Sequence, residues 1–264
     1  MSNQSIQAQA FRSLHVPGRP LILFNVWDAG SAKAVAAGGA KALATGSWSV
    51  AAAHGFKDGE EMPLDLSLAN LQRIVHATDL PVTVDLESGY GADPEAVGVT
   101  MTRALQAGAI GCNIEDSLPE NGSLREIADQ VARLKAARAA ADALGIAAFL
   151  NARTDVFFQA GADQHNETMV EAALERGRAY AEAGADGLFV PGLVDERLIG
   201  ILVERAPLPV NIMASASTPP AAMLATLGVA RISHGPGPYR MAMRMLENAA
   251  RDVFKETEGL AAAS

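Results

Sequence analysis

Asp85 and Glu87 end one apolar run, 82–87, and Glu115 and Asp116 end another, 110–116. Runs this short and apolar read as buried strands. A carboxylate at the end of a buried strand must be solvated, paired or bound to a cation. Two acidic pairs on consecutive strands can share one site, and such hard oxygen donors suit Mg²⁺ or Mn²⁺. A third run ends in Asn151-Ala152-Arg153-Thr154-Asp155 and brings in a guanidinium. Side chains two apart on a strand share a face. Asp85 therefore points with Glu87, Asn113 with Glu115, and Asn151 with Arg153 and Asp155. Arg153 is the one arginine or lysine at these strand ends, and its planar fork suits a carboxylate gripped through two bonds.

Simpler roles compete for the same residues. Asp85 and Glu87 could form ion pairs with Arg153 and hold no metal. Asp28, just before Ala29-Gly30-Ser31, fits a helix N-cap. Asp116 and Asn211 could each order a loop, and His234 could be a structural hydrogen-bonding residue. Cys112 lies on the opposite strand face from Asn113 and reads as core.

These residues need a scaffold that brings strand ends together. Eight short apolar runs, at 21–27, 42–46, 82–87, 111–115, 147–153, 187–190, 210–213 and 231–234, alternate with stretches of helical spacing such as 124–144 and 167–183. Ala-Gly-Gly-Ala at 37–40, Ala-Gly-Ala at 107–109 and 183–185, and Leu-Gly-Val at 227–229 each end a helical stretch just before a strand. Glycine there can take the left-handed C-cap conformation. Repeated helix–Gly–strand units give parallel strands joined by helical crossovers. Eight of them predict a single-domain (β/α)₈ TIM barrel spanning residues 1–264, with flexible ends over about 1–15 and 259–264. A doubly wound open sheet is the alternative, but no G-x-G-x-x-G follows the first strand. In a TIM barrel the chemistry sits at the C-terminal ends of the strands, where these polar residues fall.

Composition narrows the class. The 264 residues are 49% hydrophobic and 19% charged, enough for a sizeable core, and carry a net charge of −9. With no basic cluster, a nucleic-acid surface is not expected. One cysteine excludes an internal disulfide framework. No stretch approaches a membrane span, and the N-terminus lacks a signal peptide's apolar centre, so a cytoplasmic enzyme is expected.

The motifs taken together resemble the isocitrate lyase / phosphoenolpyruvate mutase superfamily. The resemblance runs from Asn25 to about Asn248 and rests on Thr45-Gly46-Ser47, Asp58, Val84-Asp85-Leu86-Glu87-Ser88-Gly89-Tyr90-Gly91, Asn113-Ile114-Glu115-Asp116 and Asn151-Ala152-Arg153-Thr154-Asp155. It implies a Mg²⁺ site with Asp85 as direct ligand and with Glu87 and Glu115 holding the metal's waters. It implies substrate binding by Arg153, by the segment of Ser47 and Trp48, and by Asn211, with Asp58 on a mobile gating segment. It implies C–C or P–C bond chemistry on a 2-oxo acid, and a homo-oligomer, dimer or tetramer, in which the last helix is swapped between subunits.

The departures shape the expectation further. Position 87 is Glu where the family usually has Asp. The loop at 117–124 lacks the lyase branch's acid–base cysteine. It keeps Pro119 and Ser123-Leu124 of the phosphonopyruvate branch but has Glu120 and Gly122 in place of its lysine and asparagine, with Asn121 one position away. The expected function is a Mg²⁺-dependent lyase or decarboxylase of a small 2-oxo carboxylate or 2-hydroxy diacid. Asp58, Glu120, Asn121 and a metal-bound water are candidate acid–base groups, and residues 117–124 a closing loop. Alternatives are a phosphonopyruvate hydrolase or mutase, a ketopantoate hydroxymethyltransferase-like aldol enzyme, and a non-catalytic 2-oxo acid binder.

Overall fold

Eight short parallel strands form a ring: β1 (Leu21–Leu23), β2 (Leu43–Ala44), β3 (Val82–Asp85), β4 (Gly111–Glu115), β5 (Phe149–Arg153), β6 (Gly187–Val190), β7 (Val210–Met213) and β8 (Arg231–Ser233). The computed structural model describes residues 3–261. The strands pair in the order β1-β8-β7-β6-β5-β4-β3-β2. The seam between β1 and β2 is closed just beyond the strands by a Val26–Thr45 bridge, with the Val26 N–H donating to Ala44 O at 2.9 Å. This is the expected (β/α)₈ barrel.

The helices are α1 (Asn3–Ser13), α2 (Ala29–Ala37), α3 (Ser47–Ala53), α4 (Leu64–His76), α5 (Pro94–Gln106), α6 (Ile127–Ala143), α7 (Glu167–Glu182), α8 (Glu196–Arg205), α9 (Ala221–Thr226) and α10 (Gly237–Ala261). Gly108 and Gly184, at φ 103° and 95°, take the left-handed conformation that ends α5 and α7 before the next strand. The runs at 111–115, 187–190 and 210–213 are strands over their full length. The first run stops early, at Leu23, because the Asn25 side chain replaces the ladder: it donates to Thr45 O and accepts from the His234 and Gly235 N–H groups, each at 2.9 Å.

The expected flexible N-terminus is corrected by α1. Ala8 and Phe11 are buried three positions apart on one helix face. Gln4 donates to Leu105 O and Ala109 O at 2.7 and 2.6 Å. Phe11 meets Phe149 edge-on at 5.5 Å, and the His15 ring stacks on Phe149 at 4.0 Å. At the other end α10 runs to Ala261, and residues 1–2 and 262–264 lie outside the described residues. Along α10, Met241, Met245, Leu246 and Val253 are exposed. No helix among the described residues is long and apolar enough to cross a membrane.

His15 makes one consequence of this burial measurable. Desolvation, then the charge of Arg231, pull its imidazole from 6.5 down to about 3. As pH falls through 6.5 the unfolded chain takes up this proton first, so stability present above that pH is lost progressively toward the folded value. His15→Phe, which keeps a ring on Phe149, is expected to flatten the fall in urea-unfolding midpoint between neutrality and about pH 4. Wild type and variant falling in parallel would exclude His15 as the source.

Candidate active site

A cavity of about 170 Å³ opens at the C-terminal ends of the strands, lined by Asn25, Ser47, Trp48, Asp58, Asp85, Asn113, Arg153 and Phe189 among others. Its size suits a small acid rather than a drug-sized ligand. Asp85 ends β3. Its N–H donates to Thr45 Oγ1 at 2.9 Å, and its Oδ2 accepts from the Ser47 N–H at 3.2 Å. Its Oδ1 is buried and has no hydrogen-bond partner.

Arg153 projects from the end of β5, held on several sides. Its Nη1 lies 2.6 Å from Glu115 Oε2, and its Nε and Nη2 grip Asp155 at 2.6 and 2.9 Å. Phe158 and Phe189 flank the guanidinium, with ring centroids at 5.7 and 5.8 Å. Burial alone would lower its pKa, but Glu115 and Asp155 outweigh burial and hold the cation firmly charged. Burial pushes the Glu115 carboxyl upward, opposed by Arg153. Asp155 is steadied by the Ser117 hydroxyl at 2.7 Å.

Asp58 is exposed as a residue but lines the cavity at its rim. Desolvation, then the charge of Asp85, raise its pKa, while a Ser47 hydrogen bond and Arg153 oppose the rise. A carboxyl so biased can hold a proton close to the reacting volume.

Glu87 has partners other than those expected of it. Its Oε2 accepts from the Gly59 and Glu60 N–H groups at 2.7 and 2.6 Å, and its Oε1 from the Tyr90 hydroxyl at 2.7 Å. Burial, first among the causes, lifts its pKa to about 7. The longer side chain of Glu reaches past the strand end to residues 59 and 60, so both oxygens are committed away from the cavity.

Among the described residues no three His, Cys, Asp or Glu side chains converge to hold a metal. The donor set fits a cation with one direct protein ligand, the unpartnered Asp85 Oδ1, its other positions supplied by water and substrate oxygens. Glu115 stands on the next strand but is tied to Arg153.

Under the cavity the barrel interior stays polar. Asn113 Oδ1 accepts from Asn151 Nδ2 at 2.9 Å and from Arg231 Nη2 at 3.3 Å. Thr83 Oγ1, Asn151 Oδ1, Asn211 Nδ2 and both Nε and Nη1 of Arg231 are buried without hydrogen-bond partners. Burial brings the Arg231 guanidinium down to about 9, with the Asp85 charge opposing. Asn211, expected to touch substrate, lies in this interior and accepts from the Ser233 hydroxyl at 3.2 Å instead.

Two acid–base candidates do not reach the cavity. Glu120 and Asn121 are exposed on a hairpin closed by the Ser117–Leu124 bridge, where Asn121 Oδ1 accepts from the Ser123 N–H and hydroxyl at 2.9 and 2.7 Å. Asp28 caps α2 through a capping box. Asp116 orders its surroundings through the Asp155 N–H, Tyr180 and Arg176. Cys112 is core. Phe158, Phe189 and Met213 line the cavity without having been singled out; as apolar residues near strand ends they carry no signal separating a cavity wall from core packing.

Comparison with known proteins agrees with this architecture. The model of the phosphoenolpyruvate phosphomutase family matches residues 11–254. An uncharacterised protein of Mycobacterium tuberculosis H37Rv is 34% identical over 244 residues, covering 92% of this chain and 88% of the relative. The 2-methylisocitrate lyase of Escherichia coli K12 is 30% identical over 225 residues, covering 80% of this chain and 71% of the lyase. A solved structure from Burkholderia cenocepacia J2315, provisionally assigned as a phosphonomutase, superposes with a TM-score of 0.92 at 58% identity, covering 94% of this chain and 99% of that one.

Proposed function

We propose, for a chain that belongs to the phosphoenolpyruvate phosphomutase family, a Mg²⁺-dependent lyase or decarboxylase acting on a small 2-oxo carboxylate or 2-hydroxy diacid. The superfamily contains lyases, mutases and hydrolases. The observation that carries the reading is that a buried carboxylate oxygen without a partner, Asp85 Oδ1, and a firmly charged guanidinium, Arg153, line one small cavity. Such a pair suits a substrate with a chelating oxo group at one end and a carboxylate at the other.

In this reading Asp85, with Glu115 beside it, would hold the cation, which when bound would supply Lewis-acid polarisation of the oxo group. Arg153 uses the N–H bonds left free by Asp155 and Glu115 to hold the substrate carboxylate. The Ser47 and Trp48 segment flanks the same carboxylate, and Phe158, Phe189 and Met213 keep water from the reacting carbon. Asp58 holds or delivers the proton that moves when the bond beside the carbonyl breaks.

Turnover of oxaloacetate, 2-methylisocitrate and phosphonopyruvate, with Mg²⁺ and with chelator, tests the reading. Chelator-sensitive cleavage or decarboxylation of a carbon substrate supports it; no turnover of any of them leaves the non-catalytic binder. The phosphonate reading is favoured by the Burkholderia relative. Against it, the wall at the end of β6 is the apolar Phe189, which offers a phosphonyl group no hydrogen-bond donor. Cleavage of 2-methylisocitrate itself is expected to be slow, because no cysteine stands on the 117–124 loop and general acid catalysis is worth ~10²–10⁴-fold. An ordinary rate of ~1 s⁻¹ or more would overturn that expectation.

A homo-oligomer is part of the proposal. The apolar residues bared along α10 match, in character, a groove of about 760 Å³ lined by Leu14, Val16, Leu21, Ile22, Phe24 and Val35. Seating α10 of one subunit in the groove of another would cover both. Met245→Glu with Leu246→Glu is expected to convert a dimer or tetramer to monomer in light scattering; a wild type that is monomeric would end the idea.

A further inference from the structure

Among the described residues only three that are not glycine take the left-handed backbone: Glu60, Glu87 and Tyr90, at φ 62°, 51° and 50°. This conformation is disfavoured for side chains with a Cβ and persists where neighbours enforce it. The three belong to one reciprocal arrangement. Glu87 accepts from the Gly59 and Glu60 N–H groups and the Tyr90 hydroxyl. Glu60 Oε1 accepts in return from the Ser88 N–H at 3.1 Å, the Ser88 hydroxyl at 2.7 Å and the Tyr90 N–H at 2.9 Å. Each carboxylate thus holds the backbone of the other's segment.

One of the two segments is fixed from beneath. Arg133 of α6, 2% exposed, donates to Gly91 O at 2.8 Å and to Ala92 O at 2.9 Å. The other segment, 57–61, is exposed except for Glu60 itself, and it carries Asp58 into the cavity. A carboxylate one methylene shorter at position 87 would fall short of the 59–60 amides while holding the Tyr90 hydroxyl.

We propose that Glu60, Glu87 and Tyr90 form a two-carboxylate clasp that docks residues 57–61 on the rigid 88–92 loop, making Glu60 and Tyr90 positioning residues for Asp58. Glu87 is then a latch for that segment rather than a holder of metal waters. The functional part rests on the reading of Asp58 as the proton-handling group; the structural part does not.

Hydrogen–deuterium exchange on the ligand-free wild type, Glu60→Ala, Glu60→Gln, Tyr90→Phe and Glu87→Asp tests the clasp without metal or substrate. Loss of charge-assisted bonds from Glu60→Ala or Glu87→Asp is expected to speed exchange at Gly59 and Glu60 about tenfold or more, with β4 and β5 unchanged. Tyr90→Phe is expected to do so less, and Glu60→Gln to recover part of the protection. Equal exchange at residues 59–60 in wild type and Glu60→Ala overturns the clasp, as does faster exchange spread evenly over the barrel. Should the substrate panel give turnover, Glu60→Ala is expected to lower kcat with KM little changed, and Glu60→Gln to restore part of it. A raised KM at unchanged kcat would refute positioning while leaving the exchange result to stand by itself. Because exchange needs neither Mg²⁺ nor an oxo acid, a failed functional reading and a failed clasp give different results.

Discussion

Asp85→Ala is expected to lower metal-dependent turnover by ~10³-fold or more, the several kcal/mol of charge stabilisation that a cation held by this carboxylate would supply under the proposed reading. It is also expected to leave the melting temperature little changed. The two effects separate because of how the carboxylate is held. Oδ2 accepts one bond, at 3.2 Å from the Ser47 N–H, and Oδ1 is buried with no partner. An uncompensated buried oxygen costs stability, so removing it offsets the loss of the charge that faces Arg231 while taking away the proposed cation ligand. Thermal melting and chelator-controlled activity on the same preparation check both halves. Chelator-sensitive turnover at the wild-type rate would remove Asp85 from the metal site, and a large drop in melting temperature would mean that its role is structural.

Arg153 should behave in the opposite way. Arg153→Met is expected to remove oxo-acid binding and to destabilise the barrel by ~3–5 kcal/mol, because it strands Glu115 and Asp155 without their cation. Both carboxylates lie within 2.6 Å of the guanidinium and are largely buried. Arg153→Lys keeps a charge but not the fork, so it cannot grip Asp155 through two nitrogens and still reach Glu115. Affinity for oxalate, a two-carbon dianion resembling the enolate of a 2-oxo acid, should fall about tenfold or more in the lysine variant. Calorimetric titration with Mg²⁺ and oxalate, beside denaturant unfolding, measures the two effects. A lysine variant that binds oxalate as wild type does would remove Arg153 from the substrate contacts.

The fold was legible where local chemistry was sufficient. Glycine at 108 and 184 marks helix ends by its backbone alone, and the runs at 111–115, 187–190 and 210–213 become β4, β6 and β7 without adjustment. Two-residue periodicity also brought Asp85, Asn113 and Arg153 to one cavity. What escaped depends on contacts between distant segments. Glu60 lies 28 residues from Ser88, and nothing in the irregular 56–61 stretch indicates that its backbone turns left-handed to meet that loop. Strand period does not place Glu87, because the chain leaves the strand at Asp85. For Glu120 and Asn121, loop composition says what can turn but not which way a side chain faces. The N-terminal helix is short and only weakly two-sided, so its docking follows from Phe149 and Leu105 rather than from its own pattern.

The polar file beneath the cavity bears on how far this barrel could be made heat-resistant. An axis of well-packed aliphatic layers is the usual filling of such a barrel. Here Thr83, Asn151, Asn211 and Arg231 occupy it, each with at least one buried polar atom lacking a partner. Atoms of that kind each cost ~1–3 kcal/mol. Replacing such a residue by an apolar one of the same shape is therefore expected to raise the melting temperature. Thr83→Val, a change of almost no volume, would test this at one layer with the cavity rim untouched. Arg231 is the exception in the file: its charge faces that of Asp85, so thermostabilising substitutions along the axis must work around it.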